Sequence, residues 1–169
     1  MSALPSHVPE AIATQDETHL HIRDLLTAAT AALLEARPDL EMFEDHRPQR
    51  DRPSGEAWNG LETVCHVSAL LVAGAAPHLE DEDREELLSR VDEAVAPRGL
   101  RRRQDREDSG VRSTTWRDDA GLRLDVMMGV RVAVRAISMP FLPGSLQPLA
   151  TTSPASPISP VTPPPRPLR

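Results

Sequence analysis

His19 and His21 form an H-x-H pair, Cys65 and His66 are adjacent, Asp45 and His46 sit in "FEDHRP", and six acids crowd residues 80–86. These are the groups whose types and spacing could support metal binding or nucleophilic and acid–base chemistry. Each local pattern points away from it. On a helix, positions i and i+2 diverge by about 200°, so His19 and His21 cannot chelate one ion together. On a strand, Cys65 and His66 face opposite sides, which separates a thiolate from its imidazole base and leaves Cys65 a structural thiol. Asp45 and His46 have no partner that the sequence can place. The run Glu80–Glu86 lacks the alternating ligands and central glycine of a calcium loop, and its position suits a helix amino terminus, where negative charge is stabilised. The Walker, dinucleotide-binding, nucleophile-elbow and zinc-protease signatures do not occur in the chain. The sequence therefore disfavours an enzyme and implies no cofactor or metal.

Arginine is the more suggestive residue. All 19 basic residues are Arg, and their distribution is uneven. Residues 1–96 carry 20 acids against 7 arginines, residues 97–169 carry 6 acids against 12, and the net charge of -7 hides this dipole. "PRGLRRRQDR" sets five arginines against one acid. Further along, Arg117, Arg123, Arg131 and Arg135 fall on the odd positions of an alternating segment, with only Asp125 opposing them. Such a face suits phosphates or an acidic protein partner, and the acid run at residues 80–86 of a second copy could also supply the charge. Nucleic acid is disfavoured by the acidic balance and by an aromatic content of 2%, which leaves little to stack on bases.

The elements that must position these groups are legible in part. Thr14 with Glu17 is a capping box, and Ile22, Leu25, Leu26, Ala29 and Leu33 recur at helical spacing until Arg37-Pro38, which predicts a helix over about 15–36. A second helix follows the acid run, with Leu87, Leu88, Val91 and Val95 as its stripe and Pro97 and Gly99 at its end. "DLEMFEDHR" (39–47) reads as a short strand. "LETVCHVSALLVAG" (61–74) is rich in β-branched residues and reads as a strand, the alternative being a helix with Leu61, Val64, Cys65, Ser68 and Val72 on one side. "LRRRQDRED" and "GVRSTTWRDD" continue the strand-like sequence after the second helix.

The segment "LRLDVMMGVRVAVRAI" (122–137) places an apolar residue at every even position. As one strand it would span about 50 Å, too long for a single element, so a turn intervenes. A three-residue loop at Met127-Met128-Gly129 keeps all even residues on one face, pairs Val126 with Val130 and puts Gly129 where a left-handed residue is needed. Upstream, Asp119-Ala120-Gly121 pairs Asp118 with Leu122 and sets Trp116 beside Leu124 by the same logic. The result is a three-stranded meander with Trp116 in its core.

The chain thus reads as α+β, a two-layer sandwich of two helices on one face of an antiparallel sheet, with a helix-plus-hairpin unit weakly repeated. Residues 1–13 are expected to be a flexible amino terminus, 14–142 one domain, and 143–169 a disordered proline-rich tail of polyproline II character. One cysteine cannot close an intramolecular disulfide, the amino terminus lacks the pattern of a signal peptide, and "ALLVAGAAP" is far too short to span a bilayer. A cytoplasmic protein with no membrane span is the expectation.

The element order, together with "APRGL" closing the second helix, "WRDDAG" and the final alternating hairpin, resembles the small uncharacterised actinobacterial α+β proteins related to LppA-type lipoproteins, over roughly residues 15–140. This chain departs from them in lacking a lipobox and a second cysteine. The resemblance implies the fold and carries no catalytic residue. Taken together, the sequence points to a non-enzymatic interaction protein, with a small enzyme whose site lies between sheet and helices as the alternative.

Overall fold

The structure is a computed structural model, and it describes residues 12–144. The expected tail lies outside these residues apart from its first two positions, as does nearly all of the expected flexible amino terminus. Helix α1 spans Gln15–Ala36, and the Thr14–Glu17 capping box forms in both directions. Its stripe Ile22, Leu25, Ala29 and Leu33 is buried. A short 3₁₀ turn at Pro38–Leu40 then carries Leu40 into the core. Helix α2 spans Asp81–Val95, capped reciprocally by Glu80 and Asp83, and buries Leu87, Leu88, Val91 and Val95. After it, Gly99 turns left-handed at φ 79°, a conformation that costs glycine nothing.

Four strands follow each helix. They are β1 (Phe43–Arg47), β2 (Arg50–Trp58), β3 (Leu61–Val67) and β4 (Leu70–Ala73), then β5 (Arg101–Asp108), β6 (Val111–Arg117), β7 (Arg123–Met128) and β8 (Val132–Ile137). Every pairing is antiparallel. The sheet runs β1-β4-β8-β7-β6-β5, and the β2–β3 hairpin joins it through β3 and β8. The repeated unit is therefore present but longer than expected, one helix and four strands. Both helices lie on one face, where Trp116, Leu124, Val126, Met128, Val132, Val134 and Ala136 meet the helix stripes in one continuous apolar cluster.

The stretch 61–74 is extended, as expected, but it is two strands. Both pair with β8, and the break falls at Ser68-Ala69. Two serines bridge this seam. Ser68 Oγ accepts from Ala136 N at 2.9 Å, and Ser138 Oγ accepts from His66 N at 2.8 Å. Each hydroxyl takes the place of a carbonyl acceptor that the interrupted ladder no longer offers.

The meander forms with Trp116 opposite Leu124 and fully buried. Asp118 N donates to Leu122 O, and Gly121 sits at φ 101°, as the three-residue loop requires. The second loop differs from expectation. Val126 pairs with Val134 and Met128 with Val132, so the loop is Gly129-Val130-Arg131 and Val130 is 88% exposed. Gly129 does not take a positive φ. Its constraint is close packing, because a Cβ there would lie 3.2 Å from Val111 Cγ2.

Candidate functional site: an arginine face on the open side of the sheet

Register puts the odd residues of β6–β8 on the face opposite the helices. Arg101 pairs with Arg117 and Arg117 with Arg123, so three arginines lie side by side across β5, β6 and β7. Arg101 and Arg117 are exposed, and their side chains make no hydrogen bond or ion pair among the described residues, whereas Arg123 is half-buried. Beside this row lies a shallow concavity of about 350 Å³ lined by Gln104, Arg106, Ser113, Thr115 and Arg123, together with Asp108 and Val111.

Asp125 is the buried counter-charge on this face. It is 2% exposed and accepts from Arg123 Nε at 2.7 Å, Arg135 Nη2 at 3.0 Å and Thr115 Oγ1 at 2.8 Å. Burial pushes its carboxyl up, but the hydrogen bonds from Arg123, Thr115 and Arg135 outweigh that effect and hold it below the ordinary carboxylate range. The expected register, with Val126 opposite Val130, would have set Asp125 opposite Arg131, but Arg135 stands there instead. Arg131 lies in the β7–β8 loop and donates to the carbonyls of Ala73 and Gly74. The four arginines picked from the alternation thus divide into one unpaired (Arg117), two around Asp125 (Arg123 and Arg135) and one loop clasp (Arg131). Arg101 and Arg106 belong to the same face, and only the register of the edge strand β5 brings them there.

On the helix side, part of the charge dipole is discharged within the chain. Arg102 binds Asp92 at 2.7 Å and Glu85 at 3.0 Å, and Arg112 binds both Glu85 and Asp105. Trp116 Nε1 donates to Asp92 Oδ1 at 2.6 Å, which satisfies the indole inside the core. Arg112 and Arg102 lower the pKa of Glu85, and Arg112 lowers that of Asp105. Burial raises that of the half-buried, unpaired Cys65. Cys65 and His66 do face opposite ways. His66 pairs with Asp51 in the register, and Cys65 with Arg52. Among the described residues, His19, Asp51 and His66 are the group of three ligating side chains that could hold a metal ion.

The fold belongs to the α+β class of two helices on one face of an eight-stranded antiparallel sheet. No known family matches the sequence, and no curated protein matches it. Among solved structures the chain is similar to a DUF4853 family protein from Actinomyces odontolyticus, with a TM-score of 0.54 and 15% identity over 85% of this chain and 76% of that one. It is also similar to the candidate lipoprotein LppA from Mycobacterium tuberculosis, with a TM-score of 0.50 and 12% identity over 78% of this chain and 85% of that one. At these identities the likeness is one of fold, and it bears out the resemblance drawn from the sequence. No helix among the described residues is long and apolar enough to cross a membrane.

Proposed function

We propose that the protein is a non-enzymatic interaction module that docks an acidic protein segment on the open face of its sheet. The Arg101–Arg117–Arg123 row carries this reading. Like charges at directly opposed cross-strand positions destabilise a sheet by some tenths of a kcal/mol each, and an anion laid across them relieves that cost. Of the three, Arg123 alone has a counter-charge among the described residues, in Asp125. The apolar helix–sheet interface supports the same reading, because it leaves the polar concavity on the outer face. A foreign acidic segment is favoured over a second copy, since four of the six acids at the start of α2 are already engaged within the chain, Glu80 with His78, Asp83 with Arg37, Glu85 with Arg102 and Arg112, and Glu86 with Arg90. The single unpaired cysteine supports a cytoplasmic location. The fold shared with the candidate lipoprotein LppA makes the cell envelope the competing one, and fractionation of the native host separates the two. The alternative, a small enzyme, draws on the polar group His19, Asp51 and His66 where α1 meets the β2–β3 hairpin.

The test is fluorescence anisotropy of a labelled oligoglutamate peptide with the full chain, at low and at physiological ionic strength. Binding that weakens with salt and is lost in the Arg101→Gln/Arg117→Gln double variant supports the proposal. Absence of binding at low salt, or binding that the double variant leaves unchanged, overturns it.

A further inference from the structure

We propose that His19, Asp51 and His66 bind one divalent transition-metal ion of zinc's class. The three side chains come from separate elements, His19 from the second turn of α1, Asp51 from the start of β2 and His66 from the end of β3. The β2–β3 register sets Asp51 directly opposite His66, and α1 brings His19 over the pair. Their ligating atoms all lie within 4.8 Å of one another.

The two distances to Asp51 suit a shared ion. Metal–ligand bonds of about 2.0–2.1 Å in a tetrahedral site place neighbouring donors about 3.3 Å apart. His19 Nε2 lies 3.6 Å from Asp51 Oδ1, beyond hydrogen-bond reach and close to that separation. His66 Nδ1 lies 2.7 Å from the same oxygen, a hydrogen bond that Asp51 accepts. An ion takes the place of the proton on Nδ1, which moves to Nε2, and the two groups part by about half an ångström to reach the tetrahedral donor spacing.

An independent observation points to a ligand. His19 Nε2 is buried without a hydrogen-bond partner, an orphan of the kind that native structures rarely leave. Coordination satisfies it. The site is also pre-organised. The His19 ring lies 4.0 Å from the His66 ring, centroid to centroid, and meets Phe141 edge-on at 6.0 Å. His66 is 3% exposed, and its N–H and C=O are both held by Ser138. By contrast, about a third of the His19 and Asp51 side chains stays accessible, although the His19 Nε2 atom itself is buried. Two imidazoles and one carboxylate suit zinc, cobalt or ferrous iron better than calcium or magnesium, which prefer oxygen donors throughout.

The experiment is isothermal titration of the metal-free full chain with zinc alone, paired with the visible spectrum of added cobalt. One ion per chain is expected, with a cobalt spectrum of tetrahedral character. His19→Gln and Asp51→Asn, chosen because both side chains are partly exposed, should each weaken binding at least about tenfold, the scale at which even outer-shell changes act, while circular dichroism shows the fold intact. His21→Gln and His78→Gln should bind zinc as the parent does. No uptake of either metal, or equal uptake by the parent, His19→Gln and Asp51→Asn, overturns the proposal.

Discussion

Replacing Asp125 by Asn tests whether the open face is organised around one buried charge. The carboxylate accepts three hydrogen bonds, two of them from guanidinium groups. Breaking a fully buried ion pair by removing one partner costs about 3–5 kcal/mol. Here the Arg123 and Arg135 side chains are 31% and 35% exposed, so water recovers part of their solvation and about 2 kcal/mol is the expected loss. The assay is equilibrium urea unfolding of the full chain. Because its hydrogen bonds depress the folded pKa of Asp125, its contribution is present above the unfolded value of about 3.9 and is lost as pH falls through the folded one. The gap between parent and variant should therefore be full at neutral pH and close only in acid. Freed from Asp125, Arg123 and Arg135 should also raise the affinity for oligoglutamate. A neutral-pH loss below about 0.5 kcal/mol, within the usual range for surface substitutions, refutes this picture of the face.

Ser68→Ala and Ser138→Ala each strip a buried backbone N–H of its acceptor and should cost about 1–3 kcal/mol apiece by urea unfolding. Gly121→Val should cost about 1 kcal/mol or more, because φ 101° strains a β-branched residue. Gly129→Ala, whose Cβ meets Val111 at 3.2 Å, should regain stability when Val111→Ala is added. In Arg112→Gln, NMR titration should find the Glu85 and Asp105 pKa values moved back up, since Arg112 is the first cause of both depressions.

Both helices were legible because their caps and stripes are local, and Trp116 opposite Leu124 was legible because Gly121 marks its loop. The β7–β8 loop was misplaced by two residues for a physical reason. A shift of two leaves every even residue on the same face, so alternation alone does not distinguish the two registers. The 88% exposure of Val130 is the visible difference. Strand β2 was missed because "RDRPSGEAW" contains Pro53 and Gly55 and is mostly exposed, so it carries no alternation. Its hairpin does carry a signal, Asn59-Gly60, with both residues at positive φ, and Ser109-Gly110 repeats it between β5 and β6. The arginine row needed the register of β5, an edge strand with no buried side to fix its facing. Helix geometry alone gives the divergence of His19 and His21. The approach of His19 to Asp51 and His66 depends on packing between elements distant in sequence, which no local spacing reports.

The most direct test of the arginine face is an NMR titration of isotopically labelled full-length protein with oligoglutamate at low salt. The account predicts that shifts concentrate on Arg101, Arg117, Arg123 and their open-face neighbours Gln104, Arg106 and Thr115, and fade as ionic strength rises. Shifts confined to other arginines, such as Arg47, Arg50 and Arg52, or no shifts at all, would contradict it.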